Sequence, residues 1–301
     1  MNKNIANAMC LLVAMVWGGG FIATSAALQT FEPFTVLMIR FVGAAIVCWL
    51  IVLVQKKKVE SQVVKRSVWS GIFLYLAFAF QTFGLDLTET GMNAFLTAVN
   101  VVLVPYIMWM LTHQRPKAIQ FIASMICFVG IGCLSLSSGS FQFRFGDVLS
   151  LICAFLFAAQ IIATDRATQG ADPMVVNAIQ MSVAAVLAIP FALLFDTWPS
   201  HISMQAVGSV TYMILIATWL AYQLQTTAQK YTDASSASVL LCTECLFANI
   251  FGYFLLHEAK TPIMIVGGIL IFISVLLVES EDFFGLSKNK KNSRIFDREM
   301  G

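Results

Sequence analysis

The sequence contains an internal duplication. Residues 21–45 align without a gap on residues 161–185, and ten of these twenty-five positions are identical. Residues 75–96 align in the same way on residues 219–240, with six identities in twenty-two positions. A duplication of this kind means that one structural unit is used twice, so the two halves of the chain are expected to fold alike.

The duplicated units consist of long apolar stretches. The chain is 59% hydrophobic and only 11% charged, whereas soluble domains carry about 25% charged residues. A bilayer core of about 30 Å requires roughly 20 apolar residues in each helix. Helices satisfy their own backbone groups in lipid, and the ten-residue alternation of a membrane barrel is not seen in the sequence. The sequence therefore predicts ten membrane helices, at 5–27, 33–54, 68–87, 91–111, 118–137, 147–165, 173–195, 205–229, 234–256 and 262–279.

The number of spans in each unit predicts how the two units are related. Five spans fall in residues 1–137 and five in residues 146–280. Because five is odd, the second unit enters the membrane from the opposite side, which makes the repeats inverted. The predicted fold is an all-α polytopic membrane protein of ten transmembrane helices in two inverted five-helix repeats. Residues 281–301 are charged and poor in apolar side chains, which predicts a disordered cytoplasmic tail.

Basic residues predict the orientation. With the N-terminus inside, fifteen Lys and Arg side chains fall on the cytoplasmic side and two, Arg144 and Lys260, fall outside. This bias predicts a protein of the cytoplasmic membrane with both termini in the cytoplasm. The net charge of +2 comes from short loops and the tail, so a nucleic-acid partner is not expected.

Polar and aromatic side chains recur at helical spacing inside the apolar spans. Thr218, Tyr222, Gln225 and Gln229 share one helix face. Because polar groups avoid lipid, such faces are expected to line a shared central cavity, although each residue alone could instead form an interhelical hydrogen bond. The side chains predicted to bind substrate are Trp17, Arg40, Gln81, Asn93, Asn100, Phe157, Gln160, Gln180, Tyr222, Gln225 and Glu244.

Two charges lie at membrane depth. Arg40 lies about 10 Å along the second span, and Glu244 lies near the middle of the ninth. A central charge costs on the order of 2.5–3.5 kcal/mol on insertion scales. Arg40 could attract a carboxylate and Glu244 a cation or a proton, which would suit a small zwitterion. The alternative is structural, with Arg40 snorkelling outward or pairing with a helix end, and Glu244 protonated or hydrogen-bonded.

A cofactor or metal is not expected. All seven cysteines fall within apolar spans, so a disulfide framework is not expected either. Cys242 and Cys245 share a helix face and could in principle hold a soft metal, but no further His or Cys pair completes the site by spacing.

Several segments resemble the EamA-type drug/metabolite transporter family. They are the first span LLVAMVWGGGFIA, Pro33 followed by Arg40-Phe41, residues 80–105, and residues 241–258 with Glu244 and Glu258. The resemblance covers about residues 5–280 and implies ten helices, inverted repeats and transport of small metabolites by alternating access. Cys245 stands where the family usually has proline, so we expect the ninth span to bend less than its counterpart. The spans contain no lysine, which argues against a phosphate ester as substrate.

The sequence therefore predicts a secondary transporter of a small amphipathic or zwitterionic solute such as an amino acid. Export of cationic drugs or toxic compounds, a channel and a non-transporting membrane scaffold are the alternatives. An enzyme is not expected, because no His sits at mid-span beside a nucleophile. Proton coupling through Glu244, exchange and facilitated diffusion fit the sequence equally, and the sequence does not indicate an oligomeric state.

Overall fold

The computed structural model describes residues 1–88, 90–113, 115, 117–135, 144–256 and 261–283. Regular structure in these ranges is helical throughout, with no strand. The elements are α1 (Lys3–Leu28), α2 (Pro33–Val54), α3 (Ser61–Leu87), α4 (Thr90–Thr97), α5 (Asn100–Thr112), α6 (Ala118–Ser135), α7 (Phe145–Thr168), α8 (Pro173–Phe195), α9 (Met204–Tyr212), a π-helical segment (Met213–Leu220), α10 (Ala221–Gln229), α11 (Ala234–Leu241), α12 (Glu244–Leu256) and α13 (Pro262–Phe283).

The helices begin where the sequence supplies a cap or a proline. α2 and α8 start at the repeat-related Pro33 and Pro173, where the missing amide hydrogen costs nothing. Asp172 accepts a hydrogen bond from the Met174 amide, and Asp233 accepts one from the Ser236 amide. These side chains satisfy amide groups that have no partner within the helix.

The structure confirms a polytopic, all-helical membrane protein. Seven helical stretches of the described residues are long and apolar enough to cross a membrane, and two more are apolar but shorter. The predicted bounds 33–54 and 173–195 coincide with α2 and α8. α3 starts at Ser61, seven residues before the predicted span. α13 continues to Phe283, and the rest of the predicted tail lies outside the described residues, as does Glu258.

Two spans predicted as single helices are each divided in two. Span 91–111 is interrupted after Thr97, between α4 and α5, and span 234–256 is interrupted after Leu241, between α11 and α12. Both spans are interrupted at equivalent positions, and the expectation that the second bends less stays a prediction. The Thr243 hydroxyl bonds the Leu240 carbonyl at 2.6 Å, and a side chain that competes for a backbone carbonyl in this way favours bending of the helix without any proline.

The predicted eighth span is continuous but not uniform. It runs from Met204 to Gln229, and its middle eight residues form the π-helical segment. At the end of that segment the Ala221 amide donates to the Ile216 carbonyl five residues earlier. Such wide turns are rare and are found mainly at functional sites.

The buried apolar side chains form two main clusters. One joins α1 with α5, α6, α10, α11 and α13, and the other joins α2, α3 and α8. Trp17 packs against both clusters. The most extensive helix contacts are α3 with α7, α6 with α13, and α2 with α8, and each of these joins the two halves of the chain.

Polar contacts show which loops share an end of the helix bundle. At one end Thr232 donates to Asn7 at 2.8 Å, and Lys57 pairs with Asp172. At the other end the Thr35 amide donates to Asp196 at 2.5 Å, and Thr88 donates to Asp147 at 2.5 Å. α2 and α8 therefore run antiparallel across the whole thickness of the bundle.

The ion pair between Lys57 and Asp172 yields a prediction on pH. Burial alone would raise the pKa of the Asp172 carboxyl, but the hydrogen bond and charge of Lys57, the Met174 amide and the charge of Lys230 bring that pKa below its ordinary value. The ionised pair therefore stabilises the fold above that ordinary pKa and is lost as the pH falls through the lowered one.

We expect Asp172→Asn, which keeps the helix cap, to lower the free energy of unfolding by at most about 1 kcal/mol at neutral pH, because the pair is partly exposed. The measurement is thermal unfolding of both proteins in detergent at about pH 7 and about pH 3. A difference that persists undiminished at the acidic pH would contradict the assignment.

Candidate functional site

Four aromatic side chains form two pairs that are related by the repeat. Trp17 lies 5.1 Å from Tyr222, and Phe157 lies 5.4 Å from Phe78, measured between ring centroids. Trp17 aligns on Phe157 in the duplicated sequence, and Phe78 aligns on Tyr222. Each pair therefore contains one ring from each half and lies where the two halves meet.

Arg40 lies beside these pairs. Its side chain is 7% exposed, its guanidinium carbon is 4.4 Å from the centroid of Phe78, and its Nε donates to the Thr218 hydroxyl at 3.0 Å. The contact with the ring face is a cation–π interaction, which stabilises a charge that has lost its water. The two terminal amino groups of Arg40 make no hydrogen bond to the described residues. These are the groups through which a guanidinium binds a carboxylate.

Glu244 is the first residue of α12, directly after the helix interruption. Its side chain is partly buried, and no hydrogen bond or ion pair joins its carboxylate to the described residues. Tyr222 lies within electrostatic range of both Glu244 and Arg40. The backbone carbonyl of Glu244 faces Gly18 of α1, where a Cβ atom would lie only 3.0 Å away. The site thus contains the Glu244 carboxyl group and the Arg40 guanidinium, with Tyr222 near both.

The two helix interruptions touch each other. Cys242 Sγ, at the end of α11, donates to Asn100 Oδ1 at 3.2 Å. Asn100 and Glu244 are the first residues of α5 and α12 and align in the duplicated sequence. The first amide groups of both half-helices donate to carbonyls of the interruptions, as Val101 does to Ala98 and Cys245 to Cys242, and the N-terminal ends of the half-helices carry a partial positive charge.

The predicted residues Gln160 and Gln180 lie in a buried hydrogen-bond network. Gln180 Oε1 accepts from Ser70 at 2.7 Å and from Gln160 at 3.4 Å, and its Nε2 donates to Thr226 at 3.2 Å. Ser70 and Thr164 are 2.6 Å apart. These contacts tie α3, α7, α8 and α10 together, which is the structural alternative that the sequence left open for single polar residues.

The other predicted amides occupy different surroundings. Asn93 Nδ2 donates to Ser150 at 2.8 Å and to the Gln81 carbonyl at 3.2 Å, while the Gln81 side chain is partly buried. Gln225 is buried, and its Oε1 has no hydrogen-bond partner among the described residues.

The structure thus brings Trp17, Arg40, Phe157, Tyr222 and Glu244 to one region and places Gln160 and Gln180 in a separate network. Sequence reasoning missed Phe78, the ring beneath Arg40. Its signal was available, because Phe78 is the repeat partner of Tyr222.

A cavity of about 620 Å³ lies between α1 and α9. Its walls include Val16, Gly19 and Tyr212, and the Tyr212 hydroxyl donates to the Val16 carbonyl at 3.2 Å. Val16 precedes Trp17, so this space adjoins the aromatic site from the side of the bundle rather than occupying its centre.

Apolar helices of membrane length, a duplicated chain and free charges between the two halves define a polytopic membrane transport protein. The chain belongs to the EamA-like transporter family, whose model matches residues 4–136 and again residues 144–280. This confirms the resemblance drawn from the first, second and ninth spans.

Proteins of similar sequence are described as transporters. An uncharacterized transporter of Archaeoglobus fulgidus is 32% identical over 89% of this chain and 83% of its own length. The uncharacterized transporter YoaV of Bacillus subtilis is 22% identical over 88% of this chain and 93% of its own. One solved crystal structure superposes with a TM-score of 0.79 over 92% of this chain and 96% of that chain, at 17% identity, which indicates a shared fold. The protein is a membrane transporter.

Proposed function

We propose that the protein is a secondary transporter that moves a small amphipathic or zwitterionic solute, such as an amino acid, by alternating access. The observation that carries the proposal is the pair of free charges at the junction of the halves. Arg40 has two unpartnered amino groups, and Glu244 has an unpartnered carboxylate among the described residues. Uncompensated charges at membrane depth are costly, which favours a ligand as their partner.

The geometry supports a separate role for each side chain in binding the solute. The fork of Arg40 would hold a carboxylate through two parallel hydrogen bonds. The paired rings Trp17–Tyr222 and Phe78–Phe157 would pack against the apolar part of the solute. Glu244 would meet an ammonium group or carry a proton. Asn100 and Glu244 at the two half-helix starts resemble the way that interrupted helices form transporter sites.

We further propose that ten helical spans cross the membrane as two inverted five-helix repeats. The support is that the repeat relates the two aromatic pairs to each other, that the two helix interruptions fall at equivalent positions, and that α2 packs against its own counterpart α8. Rocking of one repeat against the other would then expose the site alternately on each side.

The orientation is part of the same proposal. Lys57 and Lys230 lie at the end of the bundle that also holds Asn7 near the N-terminus. The positive-inside rule assigns this end to the cytoplasm, in the cytoplasmic membrane.

Export of cationic drugs or toxic compounds is the second candidate. The observation that favours it is the partly buried Glu244 near Tyr222 and Trp17, because a carboxylate beside aromatic faces suits an organic cation. In that case Arg40 would remain structural, held by Phe78 and Thr218.

Counterflow into proteoliposomes tests the proposal. Purified protein is reconstituted and screened with amino acids, nucleobases and cationic drugs, each added as a labelled solute against an internal excess of the same compound. Saturable uptake of an unmodified amino acid supports the proposal, and saturable uptake of cations alone supports the second candidate. No counterflow with any of the three classes would favour a non-transporting scaffold and contradict both.

Glu244→Gln yields a separate prediction. The amide keeps the size of the side chain but cannot exchange a proton, so we expect slower flux and a flattened dependence of flux on pH. The control is Glu60→Gln, which changes an exposed glutamate before α3. Flux that follows the wild-type pH profile in Glu244→Gln would remove this carboxylate from the mechanism.

A further inference from the structure

The two repeats differ in one helix. The π-helical segment Met213–Leu220 belongs to the second repeat, and its counterpart in the first repeat, at the offset of 144 residues that aligns Tyr75 with Trp219, is residues 69–76. That counterpart is α-helical, because α3 is regular from Ser61 to Leu87. The same segment of the repeat is therefore π-helical in the second copy and α-helical in the first.

Side chains of the first repeat hold the π-helical segment. Trp17 Nε1 donates to the Ala217 carbonyl at 2.9 Å, and Arg40 Nε donates to the Thr218 hydroxyl at 3.0 Å. The two acceptors are adjacent residues near the middle of the segment.

The neighbouring helices make room for the wide turns. A Cβ atom on Gly43 of α2 would lie 2.8 Å from the Ile214 side chain, and one on Gly20 of α1 would lie 3.6 Å from Ala217. Glycine at position 43 therefore allows α2 to approach the segment closely, whereas position 20 is in ordinary van der Waals contact with it.

A change of winding would move α10. Replacing five-residue by four-residue hydrogen bonds shifts the register of the following helix by one residue, equivalent to about 100° of rotation and about 1.5 Å of translation. α10 carries Tyr222, which stacks on Trp17, Thr226, which accepts from Gln180, and Gln229, which donates to the Ile161 carbonyl at 2.9 Å. The shift would separate all three contacts between α10 and its neighbours.

We propose that the segment Met213–Leu220 is a hinge whose rewinding from π to α helix rotates α10 during transport, latched by the bonds from Trp17 and Arg40. The inference rests on the proposed function. It also links solute binding to the hinge. A carboxylate that binds the terminal amino groups of Arg40 would displace the guanidinium whose Nε donates to Thr218.

The test uses fluorotryptophan ¹⁹F NMR of the full chain in lipid nanodiscs without any solute. Trp17 reports the latch, Trp219 reports the segment itself, and the exposed Trp198 beyond α8 serves as an internal reference. Trp→Phe substitutions assign these three signals among those of the six tryptophans. Thr218→Val removes the acceptor of Arg40 with almost no change in shape, and Thr211→Val makes the same change at an exposed site in α9.

We expect Thr218→Val to shift the populations of two Trp17 and Trp219 states by about tenfold, the effect of losing one hydrogen bond to a charged group. Deletion of Ile216, which removes one residue from the wide turns, should produce the same second state. Thr211→Val and the Trp198 signal should not change.

Unchanged Trp17 and Trp219 signals in Thr218→Val would overturn the hinge, as would a shift of Trp17 alone, which would report only a lost contact. Because the spectra require no substrate, this failure is distinct from that of the proposed function, which is an absence of counterflow by the wild-type protein.

Discussion

Replacing Gly18 with alanine is expected to push α1 away from α12 and to lower the thermal stability of the protein in detergent. A Cβ atom at this position would lie 2.6 Å from the Phe247 Cβ and 2.8 Å from the Ala248 amide nitrogen. Both atoms belong to the rigid part of a helix and cannot rotate away, so the helices must separate. Overpacking of this kind costs about 1–3 kcal/mol, and we expect the upper end of that range because the contact is with backbone.

The glycine run itself provides the matched control. A Cβ on Gly20 would meet only the Ala217 Cβ at 3.6 Å, which is ordinary van der Waals contact. Gly20→Ala should therefore be tolerated, and the higher helix propensity of alanine could add up to about 1 kcal/mol of stability. Thermal unfolding and size-exclusion profiles in detergent compare the two variants. Equal behaviour of Gly18→Ala and Gly20→Ala would show that close approach at Gly18 is not required.

Replacing Arg40 with lysine is expected to lower kcat/KM for a carboxylate solute by roughly 100-fold. Lysine keeps the charge but loses the planar fork, the bond from Nε to Thr218 and much of the contact with the Phe78 ring. Two charge-assisted hydrogen bonds at about 1.5 kcal/mol each account for a loss of this size. The measurement is the initial rate of counterflow as a function of solute concentration.

Arg66→Lys, at an exposed position in α3, is the matched control and should transport like the wild-type protein. The amide of the same solute adds a second comparison, because it lacks the negative charge that the fork of Arg40 would bind. If Arg40→Lys transports the carboxylate at the wild-type rate, the guanidinium serves the fold and not the substrate, and export of cations becomes the better account of Glu244.

The helix starts and the duplication could be predicted because they depend on local signals. Pro33 and Pro173 mark helix starts, and apolar length marks the spans. The helix interruptions at 98–99 and 242–243 could not be predicted, because the apolar pattern continues through both, and at the second the Thr243 hydroxyl competes for the Leu240 carbonyl within a single turn. The π-helical segment has no clear signal either, since its counterpart in α3 aligns with it and winds as a regular helix.

The candidate site divides in the same way. Arg40 and Glu244 stand out in the sequence because a charge in an apolar span is rare and costly. Gln160, Gln180 and Arg40 all lie within apolar helices. Only the packed structure shows that the two glutamines share one hydrogen-bond network, while the terminal amino groups of Arg40 make no hydrogen bond to the part of the chain that the structure describes.

The sequence alone determined that this protein is a duplicated helical membrane protein, since the cost of burying unpaired backbone in lipid leaves few alternatives for long apolar segments. Only the tertiary structure decided which polar groups are paired and which are open to a ligand, and where two helices are interrupted and one winds in wide turns. The physical reason is that hydrogen-bond partners in a bundle come from different helices, as far as 225 positions apart for Thr232 and Asn7, and their meeting depends on how whole helices pack.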